Sequence, residues 1–261
     1  MHPVLPFAFW HEYSRRNMKN IIDLSLLLDE SLPGTWPGQH PYSHVIWKDF
    51  PSAEEAYSTY HFTMDEHCGT HCDAPAHFIR GTDDPDSDLF GDSLDLMRMQ
   101  GPLKVIDVRF LNEQKKAGIS PWIEVVHVNE WETRNGALQA SDIVVFQTGW
   151  DCYYKKNNAG YRYGDGPIRD RKTPGWPSPS VDTLSYLYEK GIVCLGIDSP
   201  SMGATHDGIP PHQFGLGRRM IYVEGLANLD AVPATGATFL FLPLKIARST
   251  GCPGRAIAYI P

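Results

Sequence analysis

Several features that would assign the chain to a common class of protein are absent from its sequence. The five cysteines are odd in number and scattered, a pattern that favours a reducing compartment over a disulfide framework. The net charge is −8 and the Lys and Arg residues form no notable cluster, which argues against nucleic acid or any other polyanionic partner. No apolar run approaches the length of a membrane-spanning helix. We therefore expect a cytoplasmic protein that binds neither nucleic acid nor membranes.

The common nucleotide-binding and nucleophile motifs are absent as well. The pair Gly215-x-Gly217 has no third glycine and no preceding strand–helix pattern, so it is not a dinucleotide fingerprint. The sequence contains neither the G-x-S-x-G turn of serine hydrolases nor the Gly-rich Lys-Ser/Thr loop of nucleotide-binding proteins. Any chemistry of this chain therefore has to come from other residues.

The amino terminus differs from a secretory signal. Residues Met1–Trp10 are apolar, but they precede Arg15 and Arg16, whereas a signal peptide carries its charges before the apolar run. We therefore expect residues 1–17 to be an N-terminal extension and residues 18–261 to form one domain.

The composition that remains is ordinary for a globular enzyme, with 42% apolar and 21% charged residues. Short apolar and β-branched runs predict strands, and an amphipathic segment followed by Gly191 predicts a helix over Ser180–Lys190. The predicted strands are Ile21–Leu28, Tyr60–Met64, Pro102–Val108, Ile143–Thr148, Ile192–Ile197, Met220–Glu224, Phe239–Leu244 and Ala256–Ile260, with a short helix near Asn129–Thr133. Because strands outnumber helices and no repeat or linker is present, we predict one mixed α/β domain.

One long segment interrupts this pattern. Residues Asp151–Pro179 are rich in Tyr, Gly, Pro and charged side chains. Long segments without regular structure are commonly functional. We call this segment the excursion and interpret it as a lid or a loop that contacts substrate.

The most informative stretch begins at His67 and contains three imidazoles and one carboxylate within eleven residues. His71, Asp73 and His77 lie at even offsets, so an extended backbone points them to one side. Gly69 allows the chain to bend, so that His67 can reach the same ion as His71. Two neutral imidazoles and a carboxylate suit Zn²⁺ or Mn²⁺, and three protein ligands leave an open position, as in catalytic sites. We predict that His67, His71 and Asp73 bind a metal ion.

The fourth polar side chain of this stretch, His77, is predicted to act beside the metal as an acid or base. The alternative is a histidine-rich surface loop without metal, but the matching parity of Asp73 and His77 favours the metal site. Cys68 and Cys72 have the opposite parity, so we expect them to be small buried residues rather than ligands.

Two further side chains have two interpretations each. Trp36 either fills a core, as aromatic side chains commonly do, or forms the apolar wall of a substrate pocket, since it lies between turn residues. His206 is either an ordinary imidazole or a functional one, because it shares a loop with His212.

The segment His-x-Gly-Thr-His-x-Asp-Ala-Pro-x-His resembles the signature of the cyclase family of metal-dependent hydrolases, which includes bacterial kynurenine formamidases and isatin hydrolases. The resemblance extends from about Ile21 to the C-terminus. Other similar segments are Asp23-Leu-Ser, Trp36-Pro-Gly, Thr148-Gly-Trp, Glu224-Gly-Leu and Leu242-Pro-Leu-Lys. The resemblance implies a β/β/α domain of the swivelling type, with a central mixed sheet and flanking helices.

The resemblance also implies one or two Zn²⁺ or Mn²⁺ ions per subunit. Asp73 would bridge to a second ion that His212 and Glu224 complete. Glu224 lies in an apolar strand, where an unpaired carboxylate is costly. A salt bridge to Arg218 or Arg219 is the alternative role for this carboxylate.

For the activity, the resemblance implies hydrolysis of the amide C–N bond of a small aryl formamide or cyclic amide, similar to N-formylkynurenine or isatin. His77 would be the general acid/base, and Trp36 would contact the substrate. The alternatives are a metal-dependent cyclase or lyase that acts on a carbonyl substrate, and a non-catalytic metal- or ligand-binding relative. The resemblance further implies a homodimer or homotetramer, and a length similar to that of isatin hydrolases, some of which use a single Mn²⁺.

Overall fold

Eight strands form one mixed sheet that closes into a barrel-like structure in the computed structural model, which describes residues 20–49, 57–113 and 115–260. The predicted N-terminal extension, residues 1–17, lies outside the described residues. The strands are β1 Asn20–Asp23, β2 Ser43–Lys48, β3 Thr59–Thr63, β4 His71–Asp73, β5 Gln100–Asp107, β6 Trp122–Ile123, β7 Ile143–Gln147, β8 Ser178–Pro179, β9 Cys194–Ile197, β10 Ile221–Glu224, β11 Thr238–Pro243 and β12 Gly251–Ile260. The helices are α1 Ala76–Ile79, α2 Val125–Asn135, α3 Val181–Glu189 and α4 Ile209–Leu216.

The order of strands in the main sheet is β1-β12-β11-β5-β7-β9-β10-β4. Strands β5, β7, β9 and β10 run parallel, and α2, α3 and α4 connect them in chain order. Every residue of β7 is buried, as expected for a parallel strand that is covered on both faces. Val145 packs inside the barrel, whereas Val144 and Phe146 pack with the side chains of the helices. Successive side chains of one strand thus supply two cores.

The long strand β12 closes the sheet. Its residues from Gly254 onward pair with β11 and β1, whereas its first three residues, Gly251–Pro253, pair with β4. Strand β4 also pairs antiparallel with β10. The segment that is predicted to bind metal therefore has a hydrogen-bonded neighbour on each side, which holds its backbone in one register.

The excursion packs as a wall against the rest of the protein. Trp150, which precedes it, forms a separate buried cluster with Tyr163 and Trp176. The indole N–H of Trp150 donates to the carbonyl of Tyr163 (3.0 Å), and that of Trp176 donates to the carbonyl of Gly203 (3.0 Å). Buried indoles require such partners. The excursion is therefore packed rather than open, and Trp36 is partly buried against it.

Two element boundaries differ from the predictions for local reasons. Helix α2 is longer than predicted, since the backbone N–H of Glu124 donates to His127 Nδ1 (2.9 Å) and caps the first turn. The first strand ends at Asp23 instead of Leu28, because Asp23 Oδ1 accepts from the backbone N–H of Ser25 (3.1 Å) and turns the chain.

The predicted fold class, one mixed α/β domain with a central mixed sheet and flanking helices, is confirmed. Within the described part of the chain, no helix has the length and apolar character needed to cross a membrane.

Candidate active site

Strand pairing brings three of the predicted metal ligands together. His71 and Asp73 lie at the two ends of β4, and Glu224 of β10 is the cross-strand partner of His71. All three side chains are buried. Because alternate residues of a strand share one face, His71 and Asp73 point to the same side, where Glu224 joins them.

A tight turn brings His67 to the same group. Gly69 has a φ of +68°, and a Cβ there would lie 2.6 Å from a side-chain carbon of Leu28, so the position requires glycine. His67 Nδ1 lies 3.0 Å from Asp73 Oδ1, and His71 Nε2 lies 3.6 Å from the same oxygen. The structure thus brings together the three residues of the first predicted ion.

The residues of the second predicted ion also meet. His212 on α4 has its Nε2 3.6 Å from Asp73 Oδ2 and 3.3 Å from Glu224 Oε1. The alternative role of Glu224 is not observed, because Arg219 pairs with Asp86 and the guanidinium of Arg218 donates to a backbone carbonyl. Instead, Glu224 Oε1 accepts from a backbone N–H at 2.6 Å.

Three observations test whether a metal ion fits these residues. Among the described residues, the ligand atoms of His67, His71 and Asp73, and those of Asp73, His212 and Glu224, lie within 4.8 Å of one another in each group. Asp73 Oδ2 is buried and has no hydrogen-bond partner, which is costly unless a cation compensates it. The far nitrogens of His71 and His212 face backbone carbonyls at 3.0 and 2.6 Å, as metal-bound imidazoles usually do. The donor set fits one or two divalent ions.

The clustered side chains shift one another's pKa values. Burial alone would raise the pKa of Asp73, but the hydrogen bond and charge of His67 outweigh burial and lower it. Burial alone would lower the pKa of His67, but Asp73 outweighs it and raises that pKa to about 9. The pKa of His212 is raised for the same reason, by Glu224 and Asp73. These shifts favour positive charge on His67 and His212 beside the carboxylates, which is the sign of charge that a bound cation would supply.

His77 lies beside the cluster. It belongs to the short helix α1, and its ring centroid is 3.9 Å from that of His67. Burial lowers the pKa of His77 despite the nearby carboxylate of Asp73. A neutral imidazole at pH 7 can accept a proton, which is the property required of a general base.

The cluster forms one end of a cavity of about 370 Å³. Trp36, Phe78 and Tyr163 contribute aromatic side chains to its lining. Trp36 is partly buried, lines the cavity and contacts Trp176 edge-on at 6.3 Å between ring centroids. The excursion contributes Tyr163 and Gly164 to the lining.

His206 does not take part in the site. Its Nδ1 accepts from the backbone N–H of Ser120 (3.2 Å), and its ring lies 5.2 Å from that of Trp122. Cys68 and Cys72 are fully buried, as predicted, and neither belongs to a ligand group found among the described residues.

Two aromatic residues of the site were not predicted from the sequence. Phe78 stacks on His212 with 4.3 Å between centroids and 15° between planes, so it holds that imidazole in orientation. Its position directly after His77 was a usable signal. Tyr163 gave no such signal, because the excursion contains several tyrosines and only the packing selects one of them.

Comparison with known proteins identifies the family of the chain. The family model described as "Putative cyclase" matches residues 22–204. An isatin hydrolase from Roseibium aggregatum is 35% identical over 206 residues, which are 76% of this chain and 73% of that protein. The chain belongs to the cyclase family.

Other cyclase-family proteins match over a larger share of the chain. A kynurenine formamidase from Bacillus cereus is 26% identical over 237 residues, 90% of this chain and 95% of that protein. The crystal structure of an isatin hydrolase bound to the product analogue thioisatinate matches with a TM-score of 0.80 at 27% identity and covers 97% of both chains. Isatin hydrolase A from Ralstonia solanacearum gives a TM-score of 0.79 at 27% identity, over 100% of this chain and 99% of that one. The predicted family and the enzyme class, a hydrolase of amide C–N bonds, are confirmed.

Proposed function

We propose that this cyclase-family hydrolase opens the amide C–N bond of a neutral, cyclic aryl amide similar to isatin. The observation that carries this proposal is the composition of the cavity. It has a cluster of imidazoles and carboxylates at one end and an aromatic wall, and the described residues that line it include no Lys or Arg.

The aromatic wall suits a flat substrate ring. Trp36, Phe78 and Tyr163 line a space of about 370 Å³, which lies within the range of small-molecule sites. Aromatic side chains bind planar rings through edge-on and offset-stacked contacts. A bicyclic aryl amide can lie against this wall with its carbonyl directed at the cluster.

The absence of Lys and Arg from the described cavity lining distinguishes two substrate classes. N-formylkynurenine carries an α-carboxylate, and proteins recognise buried carboxylates through charge-assisted hydrogen bonds, most effectively with Arg. Among the described residues that line this cavity, no Lys or Arg side chain could pair with that carboxylate. Isatin carries no formal charge and has no such requirement, so the cavity favours the neutral substrate.

The metal ligands in this proposal form two groups. His67, His71 and Asp73 would hold one Zn²⁺ or Mn²⁺ ion, and Asp73, His212 and Glu224 would hold a second. When bound, the metal supplies a Lewis acid that polarises the amide carbonyl and lowers the pKa of water.

The proton transfers are assigned to His77. The neutral imidazole accepts a proton from the attacking water and then donates it to the departing amide nitrogen. The hydroxyl of the water ends on the carbonyl carbon and its proton on the nitrogen. A cyclic amide thus opens to a single product that carries an amine and a carboxylic acid, and the acid releases its proton to solvent at neutral pH. Trp36 and the excursion hold the ring in place during both transfers.

A second candidate substrate is an open-chain aryl formamide. It is favoured by the hydroxyls of Ser201 and Thr205, which also line the cavity and can hydrogen-bond a polar side chain of such a substrate.

The test is a spectrophotometric assay on protein that a chelator has stripped and that is then refilled separately with Zn²⁺ and Mn²⁺. Isatin, N-formylkynurenine and an uncharged aryl formamide are offered in parallel. We expect metal-dependent turnover of isatin, and a value of kcat/KM for N-formylkynurenine at least tenfold below that for the uncharged formamide. Equal or faster hydrolysis of N-formylkynurenine would contradict the charge argument.

Hydrolysis is distinguished from a lyase or cyclase reaction by product analysis in ¹⁸O-labelled water. Hydrolysis adds one labelled oxygen to the new carboxylate. Conversion of substrate without label in the product would support the lyase or cyclase, and metal binding without turnover of any amide would support a binding protein.

A further inference from the structure

The far ring nitrogens of the clustered imidazoles have different partners. His71 and His212 face backbone carbonyls, whereas His67 faces a side chain. His67 Nε2 lies 3.3 Å from Oγ1 of Thr250, a residue 183 positions further along the chain. Because a side-chain partner can be replaced without altering the backbone, the support of His67 can be tested on its own.

Thr250 is itself hydrogen-bonded to Glu66. The Thr250 hydroxyl donates to Glu66 Oε1, and the Thr250 backbone N–H donates to the same oxygen at 3.0 Å. The Thr250 carbonyl accepts from the backbone N–H of Ala74 at 2.9 Å. Three bonds thus hold Thr250 against the segment that contains the clustered residues.

The direction of this chain of hydrogen bonds follows from its chemistry. An ionised carboxylate only accepts hydrogen bonds, and a hydroxyl carries one proton. Since Thr250 gives its proton to Glu66, its oxygen can only accept from His67. His67 Nε2 therefore carries a proton. The other nitrogen, Nδ1, lies 3.0 Å from Asp73 Oδ1. It donates to that oxygen when the ring is protonated, and it carries the lone pair when the ring is neutral, as a metal ligand must be.

Close packing also limits the space around the His67 ring. An added Cβ on Gly251, the residue after Thr250, would lie 2.6 Å from Cε1 and 2.7 Å from Nδ1 of His67. The His67 ring therefore lies directly over the backbone at the start of β12. Thr250 contacts the ring at Nε2, and Gly251 leaves room for Cε1 and Nδ1.

We propose that Thr250 and Glu66 form a positioning relay that fixes His67 with its Nδ1 lone pair toward the metal. This inference rests on the proposed function, because it uses the same ligand set. The relay acts through His67, so Thr250 and Glu66 are positioning residues. Hydrogen-bond partners of metal-bound histidines typically contribute about 10- to 100-fold to metal affinity.

The test compares Thr250→Val, which removes the hydroxyl at nearly constant shape, with Thr250→Ser, which keeps it. Metal affinity is measured on the full-length protein by competition with a chromophoric chelator, first with Zn²⁺ and then with Co²⁺. The absorption spectrum of bound Co²⁺ reports the geometry of its ligands, and the melting temperature of the metal-free protein reports the fold.

We expect Thr250→Val to weaken metal binding about 10- to 100-fold and to change the Co²⁺ spectrum, while its metal-free melting temperature stays near that of the unmodified protein. Thr250→Ser should restore both affinity and spectrum. Glu66→Gln, whose amide oxygen still accepts from Thr250, should weaken binding less than Thr250→Val.

Two results would overturn the relay while leaving the proposed function intact. One is a Thr250→Val protein that binds metal within twofold of the unmodified protein, and the other is a Thr250→Ser protein that loses as much affinity as Thr250→Val. Failure of the unmodified protein to bind either metal would overturn both the relay and the proposed metal site.

Discussion

At the scale of single residues, His77 and Asp73 have separable roles although their side chains are close. Asp73 contributes one oxygen to each ligand group, whereas His77 lies outside both groups. We expect His77→Ala to lower kcat by about 10²- to 10⁴-fold, the usual contribution of a general acid/base, and to keep its metal. Asp73→Ala should lose both metal and activity.

The measurement is metal content by elemental analysis beside kcat on the same preparations. Full activity in His77→Ala would show that another group moves the proton. Retention of metal in Asp73→Ala would contradict its bridging position.

A second residue-scale prediction concerns the space under His67. Gly251→Ala adds a methyl group that contacts the His67 ring and, at 2.6 Å, the carbonyl oxygen of Glu66. Because the backbone atom cannot yield easily, we expect the ring to move and metal affinity to fall at least tenfold, the lower end of the range for disturbed ligand orientation. The control is Gly236→Ala, since no atom lies within 4 Å of a Cβ added there.

The control should lower stability slightly because Gly236 has a φ of +95°, but its metal affinity should not change. Chelator competition measures both variants. Equal affinity in the two proteins would show that the His67 ring tolerates the extra methyl group.

Sequence reasoning predicts those residues of the candidate site that are close in the chain. His67, His71, Asp73 and His77 were predicted from spacing, because a turn and a strand impose that spacing locally. Thr250 could not be found in this way, since its contact with His67 exists only after β12 has paired with β4. His212 and Glu224 were inferred from the family resemblance alone, and the folded chain brings them together.

At the scale of elements, strands with apolar or β-branched runs were predicted well, as in β7 and β9. The start of β12 was missed, because the sequence Gly251-Cys-Pro-Gly has no strand pattern. These residues are extended because they pair with the neighbouring strand β4. Strand propensity, which depends on local sequence, does not reflect such a tertiary contact. The excursion was likewise recognised as irregular, but its packing depends on which of its aromatic side chains reach Trp150.

Asp198 joins the ends of two parallel strands. It follows β9, is almost fully buried, and accepts from the backbone N–H of Thr148 (2.8 Å), from the Thr148 hydroxyl and from the backbone N–H of Gly149 (2.7 Å). Asp198→Asn turns an NH₂ group toward one of these donors. We expect this variant to lose about 1–3 kcal/mol of unfolding free energy, the cost of an unsatisfied buried donor.

The unfolding free energy that Asp198→Asn loses should decrease as the pH rises. Burial raises the pKa of Asp198 to about 7, although its hydrogen bonds oppose the shift. An acid whose pKa is raised by folding stabilises the native state most below its unfolded pKa, and this contribution is lost as the pH rises toward 7. The difference between Asp198→Asn and the unmodified protein should therefore be larger at pH 5 than at pH 8.

Urea unfolding at the two pH values measures this difference, with Asp83→Asn in an exposed loop as control. A difference that is constant or grows with pH would show that Asp198 is ionised throughout this range.

At the scale of the whole molecule, the clustered ligands connect parts that are distant in the chain. They come from the turn before β4, from β4 itself, from α4 and from β10. A metal ion that binds the folded but not the unfolded chain stabilises by about 2.7 kcal/mol at 100 times its Kd. For a domain of this size we expect the melting temperature to rise by roughly 5–10 °C when metal is added to stripped protein.

Scanning calorimetry of stripped and refilled protein measures the shift, and Asp73→Ala should show none. An equal rise in the melting temperature of Asp73→Ala would indicate that the metal binds at a different site. The homo-oligomeric state and the cytoplasmic location stay predictions at this scale.

The closure of the sheet by β12 also has a consequence for biosynthesis. The ribosome synthesises β4 long before β12. Cys72 of β4 therefore cannot pair with Cys252, its cross-strand neighbour in β12, until the end of synthesis is near. During that interval β4 has an open edge, and open edges promote association with other chains. A nascent polypeptide that already contains every proposed metal ligand still lacks Thr250 and the strand that holds the ligand segment in register. Metal capture by this protein is therefore expected to be a late event in its maturation.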